Sequence, residues 1–408
     1  MTILAALLFL AVSVLPAAAL TLSEIDSAAA RATSGLRTVT RRLASDLLHG
    51  RDNNTPESLR VQTYLLRRLG RIGVGIDPSQ TRYDAYRQPF EQSGQIGTNL
   101  LAVVPGRELP DEYVVVGAHY DHLGTRSDAN GACTAGGTPG GEVCNGATDN
   151  AAGVAAVLAI GSALRRLPTP PRRSIVLALW DAEEDGLLGS LYYVTNPVVP
   201  IAATVAYVNF DIQGGVLLPS LRSTSFAVGS ETGGAALQDL VTSAVSADTL
   251  GVRELSYIFG QLRSDYKNFV EQGVPTVFFS DATGACYHTT GDDVRVVDFE
   301  KLRAQARIAF RVAVTLAEND PPPTYKNPSP GLAKYADAIV LRDVFTRAMP
   351  DLSLFPPDDQ ATLQDIANQL VTIVNDGPSN FDGSDVGTLL GAASDGLAAI
   401  QRLGCRPY

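Results

Sequence analysis

The sequence predicts an α/β fold, with a mostly parallel central sheet flanked by helices and a helical extension at the C-terminal end. Three observations carry the prediction. From about residue 99 to residue 318, short apolar runs of the buried-strand type alternate with helical stretches, as expected when crossover helices return the chain to a parallel sheet. Several of these runs end directly on His, Asp or Glu, and ligands of such sheets collect beyond the carboxyl ends of the strands. Pro321, Pro322 and Pro323 then break the pattern, and the remainder reads as helix.

At 408 residues the chain exceeds what one small core requires. Its 45% hydrophobic and 18% charged content is that of a globular protein, without a disordered or multi-span membrane signature. A formal net charge of -11 argues against nucleic acid as partner, because that affinity comes largely from Lys and Arg displacing counterions. Residues 1–19 form an apolar run closed by Ala17, Ala18 and Ala19, the small-residue form of a signal-peptidase site, and too short to span a bilayer. Export to the medium or the periplasm is expected, with no stable membrane insertion once the leader is removed. In such an oxidising compartment Cys133, Cys144, Cys286 and Cys405 can pair in three ways. Cys133 with Cys144 closes a short Gly-rich loop and is favoured, which leaves Cys286 and Cys405. No CxxC pair supports a cysteine metal site.

After the leader, residues 22–48 and 56–71 carry apolar residues at helical spacing, with Pro56 where a helix can begin. Residues 82–90 alternate, and 99–104 form an apolar run ended by Pro105 and Gly106, so the two read as neighbouring strands. Strands at 113–118, 174–180, 205–210 and 274–279 then interleave with helices after Asp149, at 187–195 and from about Ala235. A long helix over 296–318 closes a domain spanning 22–320. Residues 321–330 read as a linker and 331–408 as two or three amphipathic helices without a motif.

The polar residues at the strand ends carry the chemistry. In GAHYDHLG, strand alternation places His119 and Asp121 on one face, so that Asp121 can hold the imidazole nitrogen not used by a metal. His122 points to the other face and is set aside as a loop residue; His49 belongs to the N-terminal helices. Asp149 in NGATDNAAG fits an N-cap as well as a ligand. Glu183 and Glu184 follow the strand in LALWDAEEDG, and adjacent carboxylates can divide the work of holding a metal and taking a proton from water. Asp211 ends VAYVNFD, and His288 lies in the loop GACYHTTGDD. Ser264 and Asp265 fit a helix cap or a pocket position equally well. No GxSxG elbow is present.

Taken in order, HYD, GATDN, EE, NFD and YHT resemble the M28 family of zinc exopeptidases over about residues 95–320. The resemblance implies two zinc ions, with His119 and Asp211 on one, Glu184 and His288 on the other, and Asp149 bridging them. It implies Glu183 as general base acting with a metal-bound hydroxide, Asp121 orienting His119, and Tyr287 as a donor to the developing oxyanion. Peptides are the implied substrates and an aminopeptidase the implied activity. A carboxypeptidase or amidohydrolase with the same metal site, a single-zinc glutaminyl cyclase of related fold, and a non-enzymatic binding ectodomain are the alternatives. The Cys133–Cys144 loop and the helical tail depart from the simpler members, and a Cys286–Cys405 bond would pin the tail near the site.

Overall fold

A computed structural model of the chain describes residues 19–80, 82–128, 132–137, 141–327 and 332–406. The expected leader lies outside the described residues apart from Ala19, as do 328–331 at the end of the proline segment.

The N-terminal stretch is two helices rather than one: α1 (Leu22–Ala29) and α2 (Leu36–Leu43). Gly35, at φ 82°, turns the chain between them in a conformation that side chains disfavour. A separate helix α3 (Pro56–Leu69) begins as the sequence indicates, with the Thr55 hydroxyl accepting the Ser58 N–H and Pro56 at its first position.

The sheet contains β1 (Val74–Gly75), β2 (Arg87–Gln92), β3 (Gln95–Val104), β4 (Leu109–His119), β5 (Arg173–Trp180), β6 (Thr204–Phe210), β7 (Thr224–Val228), β8 (Gly251–Leu255) and β9 (Thr276–Ser280). Its order is β1-β3-β5-β4-β6-β9-β7-β8, with β2 paired to β3. The centre, β5-β4-β6-β9, is parallel. Antiparallel pairings of β3 with β5 and of β7 with β9 join the outer strands to it.

Strand alternation sorts the core into two layers. Val114, Val116, Leu177, Val208 and Phe279 face α1, α2 and three further helices, α4 (Ala152–Leu164), α6 (Gly234–Ser246) and α8 (Phe299–Glu318). Val115, Val176, Trp180, Tyr207 and Phe278 face the opposite layer. That layer holds α5 (Leu188–Thr195), α7 (Tyr266–Glu271) and the tail helices α9 (Tyr335–Ala348), α10 (Pro357–Asp376) and α11 (Gly383–Gln401). Helix α4 is apolar on every side because it is enclosed by protein; the 18-residue window Ala147–Leu164 is 94% buried.

The tail is continuous with this second layer. Leu341, Phe345, Leu370 and Leu389 lie in one apolar cluster with Tyr207 and Phe278 of the sheet. Both disulfides are present, Cys133–Cys144 and Cys286–Cys405. The second joins the His288 loop to the segment after α11.

Candidate metal centre

Three parallel strands end at one edge and deliver the polar residues there. His119 is the last residue of β4, Glu183 and Glu184 follow β5, and Asp211 follows β6. The loop after β9 brings in Tyr287 and His288, and the turn before α4 brings in Asp149. The sequence-derived candidates therefore converge.

His119 Nε2 lies 3.2 Å from Asp149 Oδ1 and 3.2 Å from Asp211 Oδ1. His288 Nε2 lies 3.4 Å from Asp149 Oδ2 and 3.2 Å from Glu184 Oε2. Each oxygen of Asp149 thus faces a different imidazole. Glu183 Oε2 stands 3.9 Å from His119 Nε2, beside both groups. The Asp149 side chain turns inward to the imidazoles and does not cap α4, whose N-cap position is Ala151.

Behind His119, Nδ1 is 3.3 Å from the Asp121 backbone oxygen, which holds the ring, while Asp121 Oδ1 stands 3.6 Å away, near enough for an ionic contact but too far for a hydrogen bond. Asp121 Oδ2 also accepts the Glu184 N–H at 3.1 Å, which fixes the Glu183–Glu184 turn. Tyr287 stacks on His288 with ring centroids 3.8 Å apart. Ser264 and Asp265 are buried, and Ser264 accepts a hydrogen bond from Asn209 Nδ2 at 2.7 Å.

His122 is part of the cluster. It is fully buried, and its Nδ1 lies 2.6 Å from Glu184 Oε1. Strand alternation misplaces it because β4 stops at His119, and the residues beyond follow loop geometry. Two other residues carried no sequence signal of their role. Arg51 is fully buried and donates to the carbonyls of Tyr120, Leu43, Asn145 and Gly146. Asp292 accepts from Thr148 N, Thr148 Oγ1 and Asp149 N. Together they clamp the loop that presents Asp149. Gly146, at φ 50°, belongs to the same loop, and a Cβ there would meet the Asp149 carbonyl and the His122 ring.

The charges suit a bound cation. Asp121, Asp149, Glu183, Asp211, Asp265 and Asp292 are buried together, with Arg51 the one buried arginine among them, and uncompensated buried carboxylates are costly. The protonation equilibria register this. Glu183 is pushed well above the ordinary carboxyl range by burial, while Asp265 is raised to about 7 by burial. Burial opposes ionisation of Glu184 too, but the His122 and His288 contacts bring it down to about 2. Burial disfavours the charged form of His288, yet Asp149 and Glu184 raise it to about 10.

The donor set fits zinc. Tetrahedral ligands on bonds of about 2.0 Å stand roughly 3.3 Å apart, which matches the 3.2–3.4 Å separations around His119 and His288. Charge-assisted N–H···O bonds would be shorter, about 2.7–2.9 Å. His288 Nε2 is buried without a hydrogen-bond partner although two carboxylates flank it. The compact His/Asp/Glu groups among the described residues are His119–Asp149–Asp211, His119–Glu183–Glu184 and His122–Asp149–Glu184.

Comparison with known proteins agrees with this chemistry. Residues 99–313 match the model of peptidase family M28. A probable glutamate carboxypeptidase of Arabidopsis thaliana is 31% identical over 245 residues, which cover 54% of this chain and 32% of that protein. Leupeptin-inactivating enzyme 1 of Streptomyces exfoliatus is 34% identical over 128 residues, covering 31% and 25%. The matched segment is thus a third or less of the length of these relatives. Among solved structures, the LapA aminopeptidase of Legionella pneumophila superposes with a TM-score of 0.58 at 17% identity, over 74% of this chain and 76% of that one. A glutaminyl cyclase of Porphyromonas gingivalis gives 0.54 at 19% identity, over 69% and 96%. These structural likenesses concern the fold.

Proposed function

The chain belongs to peptidase family M28, and from that premise we propose that it is a secreted two-zinc aminopeptidase that removes residues from the free amino end of peptides. The observation that carries the proposal is the shared carboxylate. Asp149 faces His119 with one oxygen and His288 with the other, so His119, Asp149 and Asp211 would hold one ion while Asp149, Glu184 and His288 hold the second. Zinc bound there would supply Lewis acidity, polarising the scissile carbonyl and acidifying water.

The residues around that site have distinct work. Glu183 stands beside His119 and Glu184 and is assigned here to neither ion, and its burial raises its proton affinity. Its Oε2 is the atom that takes a proton from the attacking water and passes it to the leaving amine. Tyr287 keeps its phenol proton, since burial pushes its pKa well above the ordinary phenol value, and it can donate to charge developing on the substrate carbonyl oxygen. Asp121 orients His119, and His122 braces Glu184.

Charge supports cleavage from the amino end. A site rich in carboxylates attracts a terminal ammonium and repels a terminal carboxylate. One observation favours the second reading, cleavage from the carboxyl end: Arg263 is an exposed cation lining the adjoining pocket. The two disulfides support an oxidising compartment.

Purified protein is to be assayed on free and N-blocked peptides, with a chelator and with zinc restored. Chelator-sensitive release from unblocked peptides alone is the expected result. Release of C-terminal residues from blocked peptides would replace this reading with the carboxypeptidase one.

A further inference from the structure

We propose that the C-terminal helical extension is part of the substrate site, where α9 and α11 wall an apolar pocket that selects a large apolar side chain on the residue being released. The proposal rests on the aminopeptidase reading and deepens it.

A single pocket of about 190 Å³ runs from Glu183 and Asp211 at the metal centre to the tail helices. Its near wall includes Ile212, Phe226 and Phe278 from the sheet and its loops; its far wall includes Phe345 of α9 with Ala393 and Leu397 of α11. An engineered cavity of about 150 Å³ lined by Leu, Ile and Phe holds a benzene ring. The pocket therefore has room for an aromatic ring or a branched aliphatic chain, and its walls offer such a group apolar contacts.

The same walls reject polar side chains. The carboxylates lie at the metal end, and Arg263 is the one Lys, Arg or His among the described lining residues, on the exposed side. An acidic side chain buried between Phe226 and Leu397 would lose its hydration without a partner. A basic one would find no carboxylate along the far wall.

The far wall is held in place before substrate arrives. The Cys286–Cys405 bond ties the end of the extension to the residue preceding Tyr287. Asp337 accepts the Ser256 N–H at 2.8 Å and the Ser256 hydroxyl at 2.7 Å, and Asp351 accepts the Ser220 N–H at 2.7 Å. Arg253 donates to Asp343 at 2.8 Å. Fixed walls favour selectivity because little ordering remains to oppose binding. The extension also lies outside the family-matched residues 99–313, so this wall is an addition to the shared catalytic segment.

The test measures product binding and turnover separately. Calorimetry on the zinc-loaded full chain with L-phenylalanine, L-leucine, glycine and L-glutamate is paired with hydrolysis of the corresponding aminoacyl anilides. Phenylalanine and leucine are expected to bind at least roughly tenfold tighter than glycine or glutamate, the scale on which apolar pockets discriminate. Ala393→Phe, which puts bulk into the cavity, is expected to cut the phenylalanine-to-glycine ratio about tenfold. Leu397→Ala, which enlarges it, should move the preference toward tryptophan, and it decides the matter alone if Ala393→Phe does not fold. Binding selectivity that responds to these variants without any peptide hydrolysis would sink the aminopeptidase reading and leave the pocket assignment standing. Hydrolysis with glycine or glutamate bound as tightly as phenylalanine, or ratios unmoved by a folded variant, would overturn the pocket assignment alone.

Discussion

The carboxylate of Asp292 accepts the backbone N–H of Asp149 at 3.1 Å, so a buried acid that reaches no imidazole positions the acid that reaches two. The same carboxylate also takes the N–H and hydroxyl of Thr148. Groups that hold a ligand in place typically contribute about 10–100-fold to metal affinity. Asp292→Ala is accordingly expected to weaken zinc binding by roughly that factor while leaving every proposed ligand in the chain. Titration against a competing chelator checks it, and unchanged affinity would remove Asp292 from the site.

Glu183→Gln separates proton transfer from metal binding. The amide keeps the shape of the side chain but cannot take a proton from water, so kcat is expected to fall by at least about 100-fold. Zinc content by elemental analysis should stay at the wild-type value, because Glu183 is assigned to neither ion. Loss of zinc together with activity would make Glu183 a ligand and end its assignment as the base.

Much of this site was legible in the chain because three of the proposed ligands, His119, Glu184 and Asp211, come at or just after apolar runs, and a strand end marks their position in space. The β4–His119 and β6–Asp211 junctions are of that kind. Arg51 and Asp292 were not legible because their partners are backbone groups far away in sequence, and nothing local to either residue announces them. His122 was misplaced because the alternation rule was carried past the last paired residue of β4. Strands β7 and β8 were missed for a related reason. Each is short and broken by polar residues, Thr224 and Ser225 in β7 and Arg253 and Glu254 in β8, whereas the equally short β9 lies in an apolar run. The helical nature of the tail was readable from its pattern, whereas the surface it covers depends on packing between elements distant in sequence.

Zinc binding should release protons. In protein stripped of metal by a chelator, the buried carboxylates hold His119 well above its ordinary value against the opposing effect of burial, and they raise His288 to about 10. Both rings then carry a proton at neutral pH, and a zinc ligand must be neutral imidazole. Affinity is therefore expected to rise with pH from neutrality toward about 10. Calorimetry in two buffers of different ionisation enthalpy should show net proton release at pH 7. A buffer-independent heat would mean that the imidazoles are already neutral.

An acid-labile tie joins α6 to α8. Asp248 follows α6 and accepts two bonds from Arg307 at 2.8 Å and one from Arg311 at 3.2 Å. Burial alone would raise its pKa, but the Arg307 contacts prevail and hold it below the ordinary carboxyl value. A depressed folded-state value means that the stabilisation is present above the unfolded value of about 4 and is lost as pH falls through the folded one. Asp248→Asn should lower the urea midpoint at pH 7, and the gap from wild type should close as the pH drops below about 4. A gap independent of pH would show that the aspartate acts through packing rather than charge.

The two disulfides should differ in what they contribute. Cys133–Cys144 closes a separation of 11 residues and Cys286–Cys405 one of 119. In the chain-entropy model these correspond to roughly 3 and 5 kcal/mol of restraint on the unfolded chain. The larger loop also carries the proposed far wall of the pocket, so its removal has a local consequence as well as a global one. Replacing both Cys286 and Cys405 by Ser should lower Tm more than replacing Cys133 and Cys144. Amide exchange should quicken across α11 first, because the apolar contacts of α9 and α10 with the sheet layer remain. A double variant with unchanged α11 protection would show that packing alone holds the extension against the site.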